Sequence, residues 1–293
     1  RNIALEKSAG AAPSSDPTIS QLNPAALMMM PGKDHVLSLH WQTGDMAENQ
    51  GSFFYTGHID KYILQISYNW QDVGAIDGYT EDNIPTNKEY NPFSQLATAT
   101  FAFPLKHFQF DATLKFASDK LANDAGDRTA FGAAFDWGLA WQSETNQVGL
   151  ALMARDFGCI LRDYTDDNDD AYFPMGQTFA IAGFFKPGTI RRLTLFADSD
   201  FPRFQEPFLN LGGEYAINES FSVRVGFSRT WLDLYRDALE LLASEDRPDE
   251  VNRAHMVSAG LGYSSNLFAL DYGFSYLAQG LGMEHRIGLR FGF

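Results

Sequence analysis

Residues 268–277 read Phe-Ala-Leu-Asp-Tyr-Gly-Phe-Ser-Tyr-Leu, and the chain closes on Ile287-Gly288-Leu289-Arg290-Phe291-Gly292-Phe293. In the first stretch Phe268, Leu270, Tyr272, Phe274 and Tyr276 take every second position, with Ala269, Asp271, Gly273 and Ser275 between them. A period of two places the two sets on opposite faces of a β-strand. Working outward, the same alternation recurs in Tyr62, Leu64, Ile66, Tyr68, Trp70, in Phe108 to Phe116, in Phe131 to Trp141 and in Val223, Val225, Phe227. About fourteen such segments are predicted, at 35–42, 51–59, 61–72, 93–103, 106–117, 129–142, 147–156, 177–186, 190–198, 208–216, 220–230, 254–263, 266–277 and 280–293. Most run roughly 9–13 residues, the length of a tilted strand across a bilayer and longer than the usual soluble strand.

The connections alternate as well. Short turns are expected at Asp60-Lys61, Pro104-Leu105, 143–146, 186–188, 218–220 and 264–266, and longer loops at 43–50, 73–92, 118–128, 157–176, 199–207 and 231–253. Short turns on one rim and long loops on the other mark an outer-membrane barrel. The two faces of the strands differ in charge. One is nearly free of Asp, Glu, Lys and Arg; the other carries Asp111, Lys115, Asp136, Arg155, Arg192, Asp198, Glu214, Arg224, Asp271, Glu284, Arg286 and Arg290. A charge facing mid-bilayer lipid costs about 2–4 kcal/mol, so the charged face must line the interior. The expected fold is therefore all-β: a closed antiparallel transmembrane barrel of about 14 strands. Within the lumen, Asp111, Asp136, Glu214, Arg224, Asp271, Glu284, Arg286 and Arg290 form a candidate polar cluster.

Composition narrows the alternatives. The 293 residues are 45% hydrophobic and 14% aromatic, too much apolar mass for a disordered chain. Cys159 is the single cysteine, which excludes a disulfide scaffold and is read as a buried structural thiol. The longest apolar run, Ala25 to Met30, is far too short for a spanning helix. A net charge of −15 argues against a nucleic-acid partner. The chain opens on Arg1-Asn2-Ile3 without a basic-then-apolar leader, as in a mature form whose signal peptide has been removed or a trimmed chain. The six histidines are scattered singly with no metal-ligand spacing, and no nucleophile elbow appears, so no enzyme is expected.

Two loops carry signals of their own. Asp163, Asp166, Asp167, Asp169 and Asp170 crowd one of them. Hard oxygen donors at short spacing are weak Ca²⁺ candidates, although the glycine and terminal glutamate of an EF-hand loop are missing. From Trp231 to Glu245 the period changes to 3.6, with Trp231, Leu234, Tyr235, Ala238, Leu241 and Leu242 on one side. This predicts an amphipathic helix in an external loop. Trp231, Leu234, Tyr235 and Leu241 serve either to dock a partner or to cap the barrel.

The chain resembles the PorV/PorQ group of the FadL-like outer-membrane barrels. The most specific part is the end: Ser258-Ala259-Gly260-Leu261-Gly262-Tyr263, then Leu270-Asp271-Tyr272-Gly273-Phe274, then Leu281-Gly282-Met283-Glu284-His285-Arg286-Ile287-Gly288-Leu289. Gly212-Gly213-Glu214-Tyr215 and Arg224-Val225-Gly226-Phe227 are similar to the family's Gly-x-Glu-Tyr and Arg-x-Gly-Tyr strands. Arg155-Asp156-Phe157-Gly158 departs from the family's Asn-Leu-Gly. At the other end, Asp16 followed by Asn23-Pro24-Ala25 resembles the small hatch of these barrels. The resemblance divides the chain into a hatch segment, 1–30, inside a barrel, 31–293. It implies a type IX secretion shuttle or attachment component that binds exported or cell-surface proteins in the outer membrane of a diderm bacterium, in contact with lipid and lipopolysaccharide. The alternative within the superfamily is a FadL-like transporter of fatty acids or other hydrophobic small molecules, with bound lipid or detergent in place of a cofactor.

Overall fold

A computed structural model describes residues 3–5, 8–11, 16–29, 34–45, 49–80, 82–121, 129–164, 176–243, 255–277 and 282–293. The strands are β1 (His35–Gly44), β2 (Asn49–Ile59), β3 (Tyr62–Asp72), β4 (Ile76–Tyr79), β5 (Pro85–Tyr90), β6 (Phe93–Leu105), β7 (Phe108–Lys120) and β8 (Ala130–Gln142). They continue as β9 (Val148–Arg162), β10 (Thr178–Phe185), β11 (Leu193–Pro202), β12 (Phe208–Ala216), β13 (Phe221–Thr230), β14 (His255–Ser264), β15 (Phe268–Leu277) and β16 (Gly282–Gly292). Helix α1 (Trp231–Ala243) follows β13 directly.

Fourteen of these strands close into one antiparallel barrel, each paired with its neighbours in the chain. The seam joins β1 to β16, with Val36 opposite Gly292 and Gly44 opposite Glu284. At its foot His35 and Phe293 exchange both backbone hydrogen bonds, at 3.1 and 3.0 Å. Strands β4 and β5 stand apart as a small hairpin in the loop between β3 and β6. No described helix is long and apolar enough to cross a membrane.

The alternation works as expected. Outward positions such as Leu39, Trp41, Leu64, Ile66, Leu114, Phe116, Leu150, Leu152, Val225 and Ile287 are exposed. Inward neighbours such as Ser38, His40, Gln65, Asp111, Asp136, Asp198 and Arg224 are buried. On the long-loop side β9 runs on to Arg162 and β11 to Pro202, past the expected 156 and 198. On the short-turn side boundaries moved in two places. The chain runs as strand through Pro104 and Leu105 and turns at Lys106-His107, with Lys106 in the left-handed region at φ 56°. Between β10 and β11, Ile190 donates to the Pro187 carbonyl and Leu193 to that of Ile190, so the turn consumes the first residues of the expected strand. Arg192 accordingly lies exposed on the rim, bonding the Ile217 carbonyl, and not in the lumen.

A further departure is a bulge in β9. Phe135 pairs with Phe157 but Trp137 pairs with Ala154, so Arg155 and Asp156 together face Asp136. Asp156 takes φ 60°, a conformation that Asp tolerates better than most residues. The bulge reverses the face assignment beyond it. Cys159, expected to be buried, is therefore exposed, opposite outward-facing Ala133.

Val225 lies at the middle of β13 on the outer face and is 62% exposed. Val225→Arg should lower unfolding stability in lipid vesicles by about 2–4 kcal/mol, the cost of a charge at mid-bilayer depth. Denaturant titration of the refolded protein measures it. A change below about 0.5 kcal/mol would contradict the membrane placement of this face.

Candidate functional site

The lower half of the lumen, toward the short turns, is filled by the N-terminal segment. Two Asx-Pro steps shape it. Asp16 accepts the Thr18 N–H at 3.1 Å and caps the short 3₁₀ turn Pro17–Gln21. Asn23 accepts the Ala25 N–H at 3.1 Å and leads into the 3₁₀ turn Pro24–Met29. In both, a side-chain acceptor stands at the cap and proline fixes the next backbone angle.

The segment is tied to the wall and to itself. Asn23 Nδ2 donates to the Gly10 carbonyl at 2.7 Å, the Gly10 N–H to Asp198 at 2.9 Å, and Gln65 to the Pro17 carbonyl at 3.1 Å. Leu5, Ala9, Ala11, Ile19, Leu22, Ala25, Ala26 and Leu27 share one buried cluster with wall residues that include Ile63, Met153, Phe184 and Phe196. The lower lumen is thus a hydrophobic core as well as a charged interior.

Small wall residues make the room. A side chain at Gly138 would strike Asp111 and Asn23; at Gly212 it would strike Ser8, and at Gly260 Ala4. Ala102, Ala140, Ala151, Ala180 and Ala182 extend the same socket.

The expected polar cluster is three clusters. On the short-turn side Arg224 bridges Glu214 at 2.6 Å and Asp271 at 2.5 Å. Arg290 lines a small cavity with Arg224 and Asp271 near this rim. Across the barrel, Asp136 meets Lys115 at 2.6 Å, and Lys115 also meets Asp156 at 2.7 Å. Asp111 belongs to this side and lies against Asn23. Glu284 and Arg286 lie higher, in the wall of an upper cavity. Asp156 was not foreseen as a site member, because the β9 bulge turns it inward; Arg155, expected on the inner face, pairs with Asp200 of β11, a residue the expected strand ending at 198 left in a loop.

That upper cavity has a volume of about 550 Å³ and opens toward the long loops. Gln21 and His40 stand at its floor, where the N-terminal segment ends its packing against the wall. Nothing in the sequence reading singled it out, since it exists only once β1, β2, β3, β6, β7 and β16 are placed side by side.

Helix α1 does not cap this opening. Thr230 accepts the Asp233 N–H at 3.1 Å, Trp231 Nε1 donates to Ser199 at 2.7 Å, and Arg229 pairs with Asp237 at 2.6 Å. Ser199 and Arg229 occupy outward-facing positions, so the helix is tethered to the outside of the barrel. Trp231, Leu232, Tyr235 and Leu239 are exposed, while Leu234 is half-buried. Leu241 lies within the helix. In the acidic loop Asp163 is described, and Asp166, Asp167, Asp169 and Asp170 lie outside the described residues. Among the described residues no group of three or more His, Cys, Asp or Glu is placed to hold a metal ion.

Comparison with protein-family descriptions gives no match, and none is found among curated proteins. Solved structures do match. A structure titled CymD monoaromatic hydrocarbon channel aligns at TM-score 0.70 and 12% identity, covering 98% of each chain. The P. putida toluene transporter TodX aligns at 0.63 and 13%, covering 92% of each. A Pseudomonas aeruginosa FadL homologue aligns at 0.64 and 11%, covering 100% of this chain and 97% of that one. The fold is that of the FadL-like outer-membrane channels. These neighbours are transport channels and overturn the expectation of a PorV/PorQ secretion shuttle.

Arg224 is 8% exposed, between carboxylates that are 20% and 10% exposed. Arg224→Met should cost about 3–5 kcal/mol in denaturant titration, because two acidic groups lose their shared cation in a partly dry lumen. Adding Glu214→Gln and Asp271→Asn should recover most of the loss.

Proposed function

We propose that the protein is a FadL-like channel that admits small organic molecules with an apolar part across the outer membrane of a diderm bacterium. The observation that carries this reading is the division of the lumen. A cavity of about 550 Å³ faces the long loops, and Gln21 lines it where the N-terminal segment fills the lumen below. A binding chamber above a packed obstruction suits a gated transporter; an open diffusion pore needs neither. The printed names of the structural neighbours, a monoaromatic hydrocarbon channel and a toluene transporter, point the same way.

In this reading residues 1–30 are the hatch. Asp16, Asn23, Pro24 and Ala25 hold its shape, and the Gly10–Asp198 bond is one latch to the wall. The protein does no chemistry on its cargo: its side chains bind, orient and release. The exposed aromatic and aliphatic belt faces membrane lipid, with lipopolysaccharide in the outer leaflet.

Two measurements test this. In planar bilayers the intact chain should show little steady conductance, and a chain lacking residues 1–30 large steps; a wide, steady pore in the intact chain would refute the hatch. In diderm cells deprived of their own channel for such solutes, expression should raise uptake of at least one of labelled oleate, toluene and an alkyl glycoside severalfold. Uptake of all three equal to that of empty cells would refute the transporter. The lipopolysaccharide leaflet matters here, because apolar solutes cross plain phospholipid without help.

A further inference from the structure

The wall of the upper cavity is unusual in one respect. Gln42 on β1 pairs across the sheet with Gln50 on β2, and Gln50 with Gln71 on β3. All three occupy inward-facing positions, so their carboxamides form an unbroken row on the lumen side of three adjacent strands. The row continues through Ser94, the partner of Gln71, to Asp119, and on the other side through Arg286, the partner of Gln42.

The ends of the row are engaged. Asp119 accepts the hydroxyls of Ser94 and Tyr164, and Arg286 donates to Ser52 at 3.3 Å. The middle is not. Two other lumen carboxamides bond within the protein: Gln65 to Thr56 at 2.8 Å, Gln21 to Asn69 at 2.7 Å. Among the described residues, no side-chain hydrogen bond engages Gln42, Gln50 or Gln71. All three are half-buried and line the cavity.

We infer that this row binds the polar part of the solute, and that the solute carries several neutral hydroxyl or amide groups and is not a bare hydrocarbon. The inference rests on the channel reading and names its substrate class. A carboxamide is donor and acceptor at once, and so is a hydroxyl, so a row of three matches a polyol. A hydrocarbon pressed against the same row would strip water from the carboxamides and return nothing. Each group left unpaired costs about 1–3 kcal/mol, as much as burying a whole apolar side chain supplies. The charged groups at the two ends of the row are bonded to hydroxyls, Arg286 to Ser52 and Asp119 to Ser94 and Tyr164, which leaves the three carboxamides as the open donors and acceptors between them.

The test is saturation-transfer NMR on the full chain in amine-oxide micelles, which carry no sugar headgroup to compete, with mannitol as probe. Mannitol should receive saturation from the protein with a titration curve that levels off. The signal should fall at least fivefold in Gln42→Leu/Gln50→Leu/Gln71→Leu and about twofold or more in Gln50→Leu alone. Gln147→Leu, on an exposed turn at the opposite rim, should leave it unchanged. Heat-modifiable gel migration verifies that each variant is folded, and the single variant decides if the triple one is not. No transfer above protein-free micelles, or equal transfer in folded Gln50→Leu, would overturn the inference. If oleate or toluene uptake persists in cells while mannitol fails to bind, the substrate class is wrong and the channel stands. If mannitol binds and no solute is taken up, the site stands and the channel reading falls.

Discussion

A backbone amide that faces hydrocarbon has no water to turn to, and almost every feature of this protein follows from that. Each strand must find partners on both sides, so the sheet closes on itself through β1 and β16. Closure creates an inside, and the pleat then sorts side chains between lipid and lumen, one by one. Apolar residues outside and polar ones inside are the inverse of a soluble domain, which is why the chain combines many aromatics with a low mean hydropathy.

Closure also poses a packing problem. The inside of a fourteen-stranded barrel is wider than the side chains of its wall can fill. The lower half is filled by a piece of the chain itself, seated among glycines and alanines and tied by backbone bonds to Asp198 and Gln65. The upper half is left open and lined by amides and hydroxyls. The charges serve the same division. Arg224 with Glu214 and Asp271 braces one wall near the segment, and Lys115 with Asp136 and Asp156 braces the other.

The barrel was legible because period-two patterning is local: Tyr62 to Trp70 or Phe268 to Tyr276 announce their faces without reference to anything distant. The inward placement of Asp111, Asp136, Glu214, Arg224 and Asp271 followed from the cost of charge in lipid. What sequence could not show depends on register and on neighbours far away in the chain. Gln42, Gln50 and Gln71 look like three ordinary polar residues until pairing aligns them. Ala180 and Ala182 look like weak strand residues until the segment that packs on them is in place. The bulge at Asp156 shifts the faces of the rest of β9, and neither of the two residues that face Asp136 there is a glycine or proline. Family resemblance misled for a related reason: the motifs it rested on, such as Gly212-Gly213-Glu214-Tyr215 and Arg224-Val225-Gly226-Phe227, serve the wall and the braced charges, which shuttle and channel alike require.

The N-terminal segment has a consequence for how the protein is made. Gly10 is bonded to Asp198 across 188 residues of chain, so the segment settles only after strand β11 exists. The segment also lies inside a ring whose last joint, β1 to β16, is made by the first and last strands. It must therefore be threaded into a sheet that is still open, or be carried in as the sheet curls around it. Contacts of such long range form slowly. The insertion machinery that assembles this barrel has to hold the seam apart long enough for the early chain to find its socket, and a barrel zipped too soon would trap it outside.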